Sequence, residues 1–199
     1  SIHYNLLAGL DSISRFSNLE AIQHFTYVLE TISDNSQYLE KKEAALEGLG
    51  DALYANSLYQ QSVNTFEKLF LSENCTLKQR VLRKAMDAAF FQGALPRFEM
   101  LVRKAEDTPS TDRLETARIK INRARVNQLF EHNPDLALRD NEEGLRIFEE
   151  ENSLWDIAWA SISVGGSLAL LGKLEEGLAA NLRAIALFKE LGEQRWLAR

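Results

Sequence analysis

The stretch Leu46-Glu47-Gly48-Leu49-Gly50-Asp51-Ala52-Leu53, followed by Tyr59-Gln60-Gln61-Ser62-Val63-Asn64-Thr65-Phe66-Glu67-Lys68-Leu69, carries the information from which the fold is read. Leu46, Leu49 and Leu53 recur three and four apart, so they share one face of a helix. Val63, Phe66, Leu69 and Phe70 repeat that spacing on a second helix after a short break. Ile185, Phe188 and Leu191 continue it near the end of the chain. No sustained period-two run rich in Val, Ile and Thr is present, so no strand is expected.

Working outward, the same spacing predicts helices at 2–15, 18–32, 37–56, 59–72, 76–92, 95–106, 112–131, 135–151, 154–171 and 174–191, with an eleventh starting near 194. Asn18 is placed to cap the second of these. Pro96 and Pro134 stand where helices start, because the first amide of a helix has no intrahelical partner to lose. Pro109 with Ser110, Thr111 and Asp112 marks a longer turn, and Gly172 suits a left-handed helix end.

The quoted pair resembles the tetratricopeptide repeat, whose pattern has a large residue, then Leu-Gly, an aromatic or Leu, a small residue, Phe and another small residue. The resemblance extends along the chain. The first block gives Ala8-Gly9, Ala21, Phe25 and Val28. The third gives Leu82, Ala85-Met86, Ala89, Gly93, Phe98, Val102 and Ala105. The fourth gives Ile121, Ala124-Arg125, Ala137, Asn141 and Gly144. The fifth gives Val164-Gly165, Leu168, Gly172, Leu174, Gly177, Asn181 and Ala184. The glycine-type position falls at 9, 50, 86, 125 and 165, intervals of 41, 36, 39 and 40 residues. These exceed the family's usual repeat of about 34 and are similar to the long repeats of signalling and transcription-regulator members. Met86 and Arg125 depart from the small residue, Ser62 from Ala, and Asn141 and Asn181 from Phe.

The resemblance implies an all-α fold, a right-handed α-α superhelix (a TPR-like solenoid) of about five helix pairs plus a partial sixth. It implies one domain over 1–199, with repeats at roughly 2–35, 37–74, 76–108, 112–151 and 154–192, and 193–199 opening a further helix. Trp196 and Leu197 mimic Leu154, Trp155 and Trp159, which open the fifth pair. A solenoid needs a polar outer face on its terminal repeat, and none is legible. The expectation is a fragment of a larger protein, or a contact across chains through Trp196.

Composition removes several classes of function. A net charge of −6 without a basic block does not suit a nucleic-acid backbone. The single Cys75 excludes an intramolecular disulfide framework and a cysteine metal cluster. No apolar run reaches the roughly 18 residues of a membrane span, and Ser1–Leu10 has no signal-peptide pattern. The expected setting is cytoplasmic, with no membrane partner and no nucleic acid bound by this segment.

No catalytic constellation emerges. His3, His24 and His132 lack metal spacing and read as helix-surface residues. Cys75 has no adjacent base; Lys78 and Arg80 are the nearby cations. Gly172-Lys173 lacks the hydroxyl residue and first glycine of a phosphate loop. Glu142-Glu143 and Glu149-Glu150-Glu151 read as solvated helix faces. No metal, cofactor or enzymatic activity is expected.

The resemblance also implies which residues face the groove, because in this family the first helix of each pair lines the concave side. Carried over, this gives Glu47, Gly48, Asp51 and Tyr54; Arg83, Lys84, Asp87 and Phe90, with Arg80 a turn earlier; Asn122, Arg123, Val126 and Leu129; and Ile162, Ser163, Gly166 and Ala169, with Trp159 a turn earlier. The candidate site is Arg80, Arg83, Lys84, Asp87, Asn122, Arg123 and Trp159, a basic groove centre that would draw an acidic peptide. The competing reading is that these cations pair with neighbouring acids. Leu6, Leu7, Leu10 and Ile13 leave the first helix apolar, which reads equally as an interaction surface or as a face that packs on a preceding N-terminal domain, and an oligomer through the terminal repeats is open. The expected function is a protein–protein interaction scaffold. The alternative is an effector-sensing arm of a multidomain signalling ATPase or transcriptional regulator.

Overall fold

The computed structural model describes residues 1–32, 38–72 and 77–193. They form ten α-helices: α1 (Ile2–Ser14), α2 (Asn18–Thr31), α3 (Leu39–Ala55), α4 (Tyr59–Phe70), α5 (Lys78–Gln92), α6 (Leu95–Glu106), α7 (Arg113–Leu129), α8 (Pro134–Glu150), α9 (Leu154–Leu170) and α10 (Leu174–Glu190). No strand occurs among the described residues, so the fold is all-α as the spacing predicts. Cys75, Trp196, Leu197, the expected helix starts at 37 and 76, and the expected eleventh helix lie outside the described residues.

Local chemistry explains some of the helix ends. Asn133 accepts from the Leu136 amide at 3.0 Å and opens α8 just ahead of Pro134. Asp112 accepts from the Glu115 amide at 3.0 Å and opens α7. Asn18 does not cap α2: it is the first residue inside the helix, after Ser17, and Ser17 makes no side-chain cap bond. Gly172 takes φ +78° at the end of α9, and Gly93 takes φ +77° after α5. Phe16, Ser57, His132 and Asn152 hold the same left-handed region without being glycine.

The chain folds as two compact units, Ser1–Thr108 and Pro109–Arg199, divided at the turn that opens on Pro109. In the first unit α1 to α6 each lie against the next, and α3 also touches α1 and α5. In the second, α7 to α10 do the same, and α7 touches α9. Each unit is therefore a run of helix pairs in which first helices also meet first helices.

Close approach within pairs rests on small residues facing large ones. Phe25 of α2 is fully buried, and a Cβ at Gly9 would stand 2.8 Å from its ring. A Cβ at Gly48 of α3 would overlap the same ring. Gly50 gives the space next to Phe66, whose ring would be 2.5 Å from an added Cβ. Ser62, in the place of the usual alanine, donates through Oγ to the Gly50 carbonyl at 2.8 Å. The buried hydroxyl is therefore satisfied. In the second unit Ala117, Ile121, Phe148, Ile157, Ala158, Trp159, Ala184 and Phe188 form the core. Of the expected terminal stripe only Phe188 is buried; Ile185 and Leu191 are exposed, because the inner face of α10 runs through Gly177, Ala184 and Phe188.

The contrast between two glycines tests this packing. Gly50→Ala gains about 1 kcal/mol of helix propensity but overpacks the Phe66 ring. A net loss of about 1–2 kcal/mol is expected. Gly166→Ala meets nothing within 4 Å of its new Cβ and should gain up to about 1 kcal/mol. Urea unfolding of both variants reads the two signs.

Candidate functional site

In the first unit the predicted cations are brought together on facing first helices. Arg80 Nη2 donates to both carboxylate oxygens of Glu47, at 2.7 and 2.8 Å. Lys84 Nζ reaches Glu47 Oε1 at 2.9 Å and Asp51 Oδ2 at 2.7 Å. Arg83 Nη1 meets Asp87 Oδ2 at 3.1 Å, one turn along α5. Three cations thus face three carboxylates. The expected surplus of positive charge is absent here, because α3 supplies Glu47 and Asp51 at the height where α5 supplies Arg80 and Lys84. The cations expected at the groove centre are therefore engaged with carboxylates of the same unit.

Electrostatics sets the two α3 carboxylates apart. Burial pushes Glu47 up, but Lys84 and Arg80 outweigh it and hold the group below its ordinary range. For Asp51 burial prevails over Lys84 and raises the group. Beyond the charges, Tyr59, Tyr54, Phe91, Phe90 and Phe98 make a chain of aromatic contacts at 5.3–5.9 Å between successive centroids.

The second unit treats its predicted residues differently. Asn122 is fully buried: its amide donates to the Arg118 carbonyl at 3.1 Å and accepts from Arg125 at 2.9 Å. It therefore presents no surface to a ligand. Trp159 is buried in the core, stacked on Trp155 at 6.3 Å with the Arg125 guanidinium 4.8 Å from its centroid. Arg123 donates to Glu131 at 2.7 Å. Tertiary packing buries Asn122 and Trp159, a distinction that the repeat register alone does not make.

Sequence reasoning missed a buried latch. Arg118 of α7 forks onto Asp156 of α9 at 2.9 and 2.8 Å and also reaches Glu115 at 2.5 Å. Asp156 and Glu115 are both buried. Ser153 adds a bond to Asp156 at 2.6 Å. The hydrogen bonds that Arg118 donates to Asp156 outweigh burial and raise the Arg118 group, so the guanidinium stays charged. Its signal in the sequence was weak: an Arg and an Asp one repeat apart. On α9 the carried-over Ile162, Gly166 and Ala169 share one exposed face, and the indole beside them is Trp155, which sequence reasoning missed, rather than the buried Trp159. A Cβ at Gly166 would meet nothing within 4 Å.

His24 Nδ1 lies 2.8 Å from Asn5 Oδ1, a helix-to-helix contact. Among the described residues no group of three or more His, Cys, Asp or Glu side chains could hold a metal ion. Nor is any helix there long and apolar enough to cross a membrane.

Successive helix pairs, several with a glycine where the two helices meet, define a helical repeat of the tetratricopeptide type. A solved structure titled "Crystal structure of MamA protein", a TPR-like helical solenoid, is similar to this chain with a TM-score of 0.65 and 14% sequence identity. The match covers 96% of this chain and 94% of that one. At that identity the likeness shows the fold. No protein-family model matches the sequence, and no curated protein matches it.

Two substitutions test the polar contacts. Glu47→Gln should cost about 1–2 kcal/mol at pH 7. Because the folded group sits below its ordinary 4.5, its contribution is present above that value and fades as pH falls through the lowered one. Urea unfolding curves of variant and wild type should therefore differ at pH 7 and draw together as the pH falls below the ordinary carboxylate range. Arg118→Leu leaves Asp156 and Glu115 buried without their cation and should cost about 3–5 kcal/mol, read in the same assay.

Proposed function

We propose that this chain is a non-catalytic protein-interaction scaffold that holds a peptide or partner segment on the first-helix faces of its repeats. The observation that carries the reading is the open strip of α9. Trp155, Ile162, Gly166 and Ala169 give an exposed face without a charge, more than a third bare at its two large residues. Small residues in its middle let a backbone lie close, and the indole at one end offers a flat apolar contact. Helical repeats bind extended partners on such faces.

In the first unit Arg80, Arg83, Lys84 and Asp87 stand on the corresponding side of α5. Each is engaged with a side chain of opposite charge, so the set would contribute directed hydrogen bonds to a partner rather than net attraction for an acidic segment. In the second unit Arg123, partly exposed and bonded to Glu131, remains in the proposed surface. The cytoplasm suits a chain with a single cysteine.

The test uses a partner captured by affinity purification with the intact protein. Gly166→Arg has open space for its side chain, so the melting temperature should hold while capture falls at least about tenfold, a loss of about 1.4 kcal/mol. Capture at the wild-type level would remove α9 from the site. Arg83→Glu and Arg123→Glu, assayed in parallel, report whether the charged residues contribute to it.

A further inference from the structure

The repeat register makes the corners between each first helix and its own second helix comparable. Phe16 stands at the corner of α1 and α2. The intervals of 41, 36, 39 and 40 residues carry it onto Ser57, Gly93, His132 and Gly172. All five hold left-handed backbone, with φ between 49° and 78°, and all five are exposed. The same intervals carry Leu19 onto Gln60, Pro96, Asp135 and Glu175, and Tyr27 onto Lys68, Lys104, Glu143 and Arg183. These positions are exposed as well. α4 is packed on by both α3 and α5 and still leaves Ser57, Gln60 and Lys68 bare. The exposure of Phe16, Leu19 and Tyr27 therefore does not depend on a missing neighbour: the register faces solvent wherever it recurs.

What differs at α2 is the chemistry. The other repeats fill these positions with polar or charged groups, glycine or proline. Here Phe16, Leu19 and Tyr27 are 89%, 63% and 46% exposed. Leu19, Gln23 and Tyr27 are four apart, so they share one face of α2 over about 12 Å. Phe16 extends that face past the start of the helix. It takes a conformation that glycine adopts freely, and its ring gains no burial in return. Charge then narrows what fits. Glu20 and Glu30 are exposed towards the two ends of the stripe, and α2 has no Lys or Arg. α4, α6, α8 and α10 each have at least one. A second copy would set Glu20 and Glu30 against the same acids, and an anionic lipid surface would be repelled. An extended peptide would find no strand edge among the described residues. A helix arrives with its backbone groups already bonded.

We propose that Phe16, Leu19 and Tyr27 dock an amphipathic helix of a partner protein. Its apolar stripe covers the three side chains, and Lys and Arg residues flanking that stripe meet Glu20 and Glu30. Phe16 is the anchor, because its ring has the most area to lose to the contact. The surface belongs to a second helix of the first unit and shares no residue with the strip on α9.

The probe is a fluorescent synthetic peptide of about 16 residues, with Leu recurring three and four apart and Lys on both sides of that stripe. It is titrated into the intact protein and read by anisotropy. Phe16→Gly should weaken binding at least about tenfold, and so should Glu20→Lys combined with Glu30→Lys. Phe16→Gly should melt no lower than wild type, since it relieves left-handed backbone, so its loss of binding is not unfolding. A peptide of the same composition with its stripe scrambled, and one with Glu in place of Lys, should each bind at least about tenfold more weakly. Gly166→Arg should bind the probe as wild type does, which keeps the outcome independent of the α9 strip. No binding by wild type, equal binding by either control peptide, or no response to Phe16→Gly overturns the proposal. Loss in Gly166→Arg places the peptide on α9 and overturns it too. A wild-type dimer that Phe16→Gly abolishes in sedimentation, or flotation with phosphatidylglycerol vesicles, overturns it in favour of a second copy or a lipid surface.

Discussion

Phe25 stands between two helices at points where neither has a side chain. Gly9 of α1 lies on one side of the ring and Gly48 of α3 on the other. That ring fixes how near its own first helix and the following one can come, and hence the step from one pair to the next. Gly50 and Phe66 repeat the device one pair later. Each glycine weakens its helix by about 1 kcal/mol against alanine. Buried apolar contact, at about 25 cal/mol per Å², offsets that cost once some tens of Å² are gained. In the second unit the ring is replaced by Asn141 and Asn181. Asn141 holds the neighbouring helix by hydrogen bonds to Ser163 and Ser167, so a shape contact has become a polar one while the pairing is kept.

Charge does a second, similar job between first helices. Both units join them by ion pairs, but at different depths. In the first, Arg80 and Lys84 reach Glu47 and Asp51 with all four side chains a fifth to two-fifths exposed. In the second, Arg118 holds the wholly buried Asp156. The deeper pair gains more Coulomb energy and loses more hydration, so it fixes geometry more than it adds stability. In both places the cations named here are matched by carboxylates.

Helix positions and crossing residues were legible in the sequence because both depend on local spacing. Leu46, Leu53, Val63, Phe66 and Leu69 are buried where the three-and-four pattern puts them. The all-α class followed from the same pattern. Partners of charged residues were not legible to the same degree. Arg80 and Lys84 of α5 stand against Glu47 and Asp51 of α3, yet which carboxylate meets which cation depends on the rotation of one helix against another. Asn122 shows the limit most clearly: its register points to a surface, while Arg118 and Arg125 close over it. The exposure of Ile185 and Leu191 was obscured for a different reason. Both read as core until the inner face of α10 is known to run through Gly177, Ala184 and Phe188.

The corners between helices have their own consequence. Phe16, Ser57, His132 and Asn152 hold left-handed backbone that glycine would adopt without strain. Each costs on the order of 1 kcal/mol, and Phe16 does so with its ring 89% bare. The strain in these turns therefore sits at the corners, away from the contacts that set the spacing of the helices. A lineage could harden or soften the array one corner at a time, leaving that spacing unaltered. Durability and dimensions are separately adjustable in such a chain.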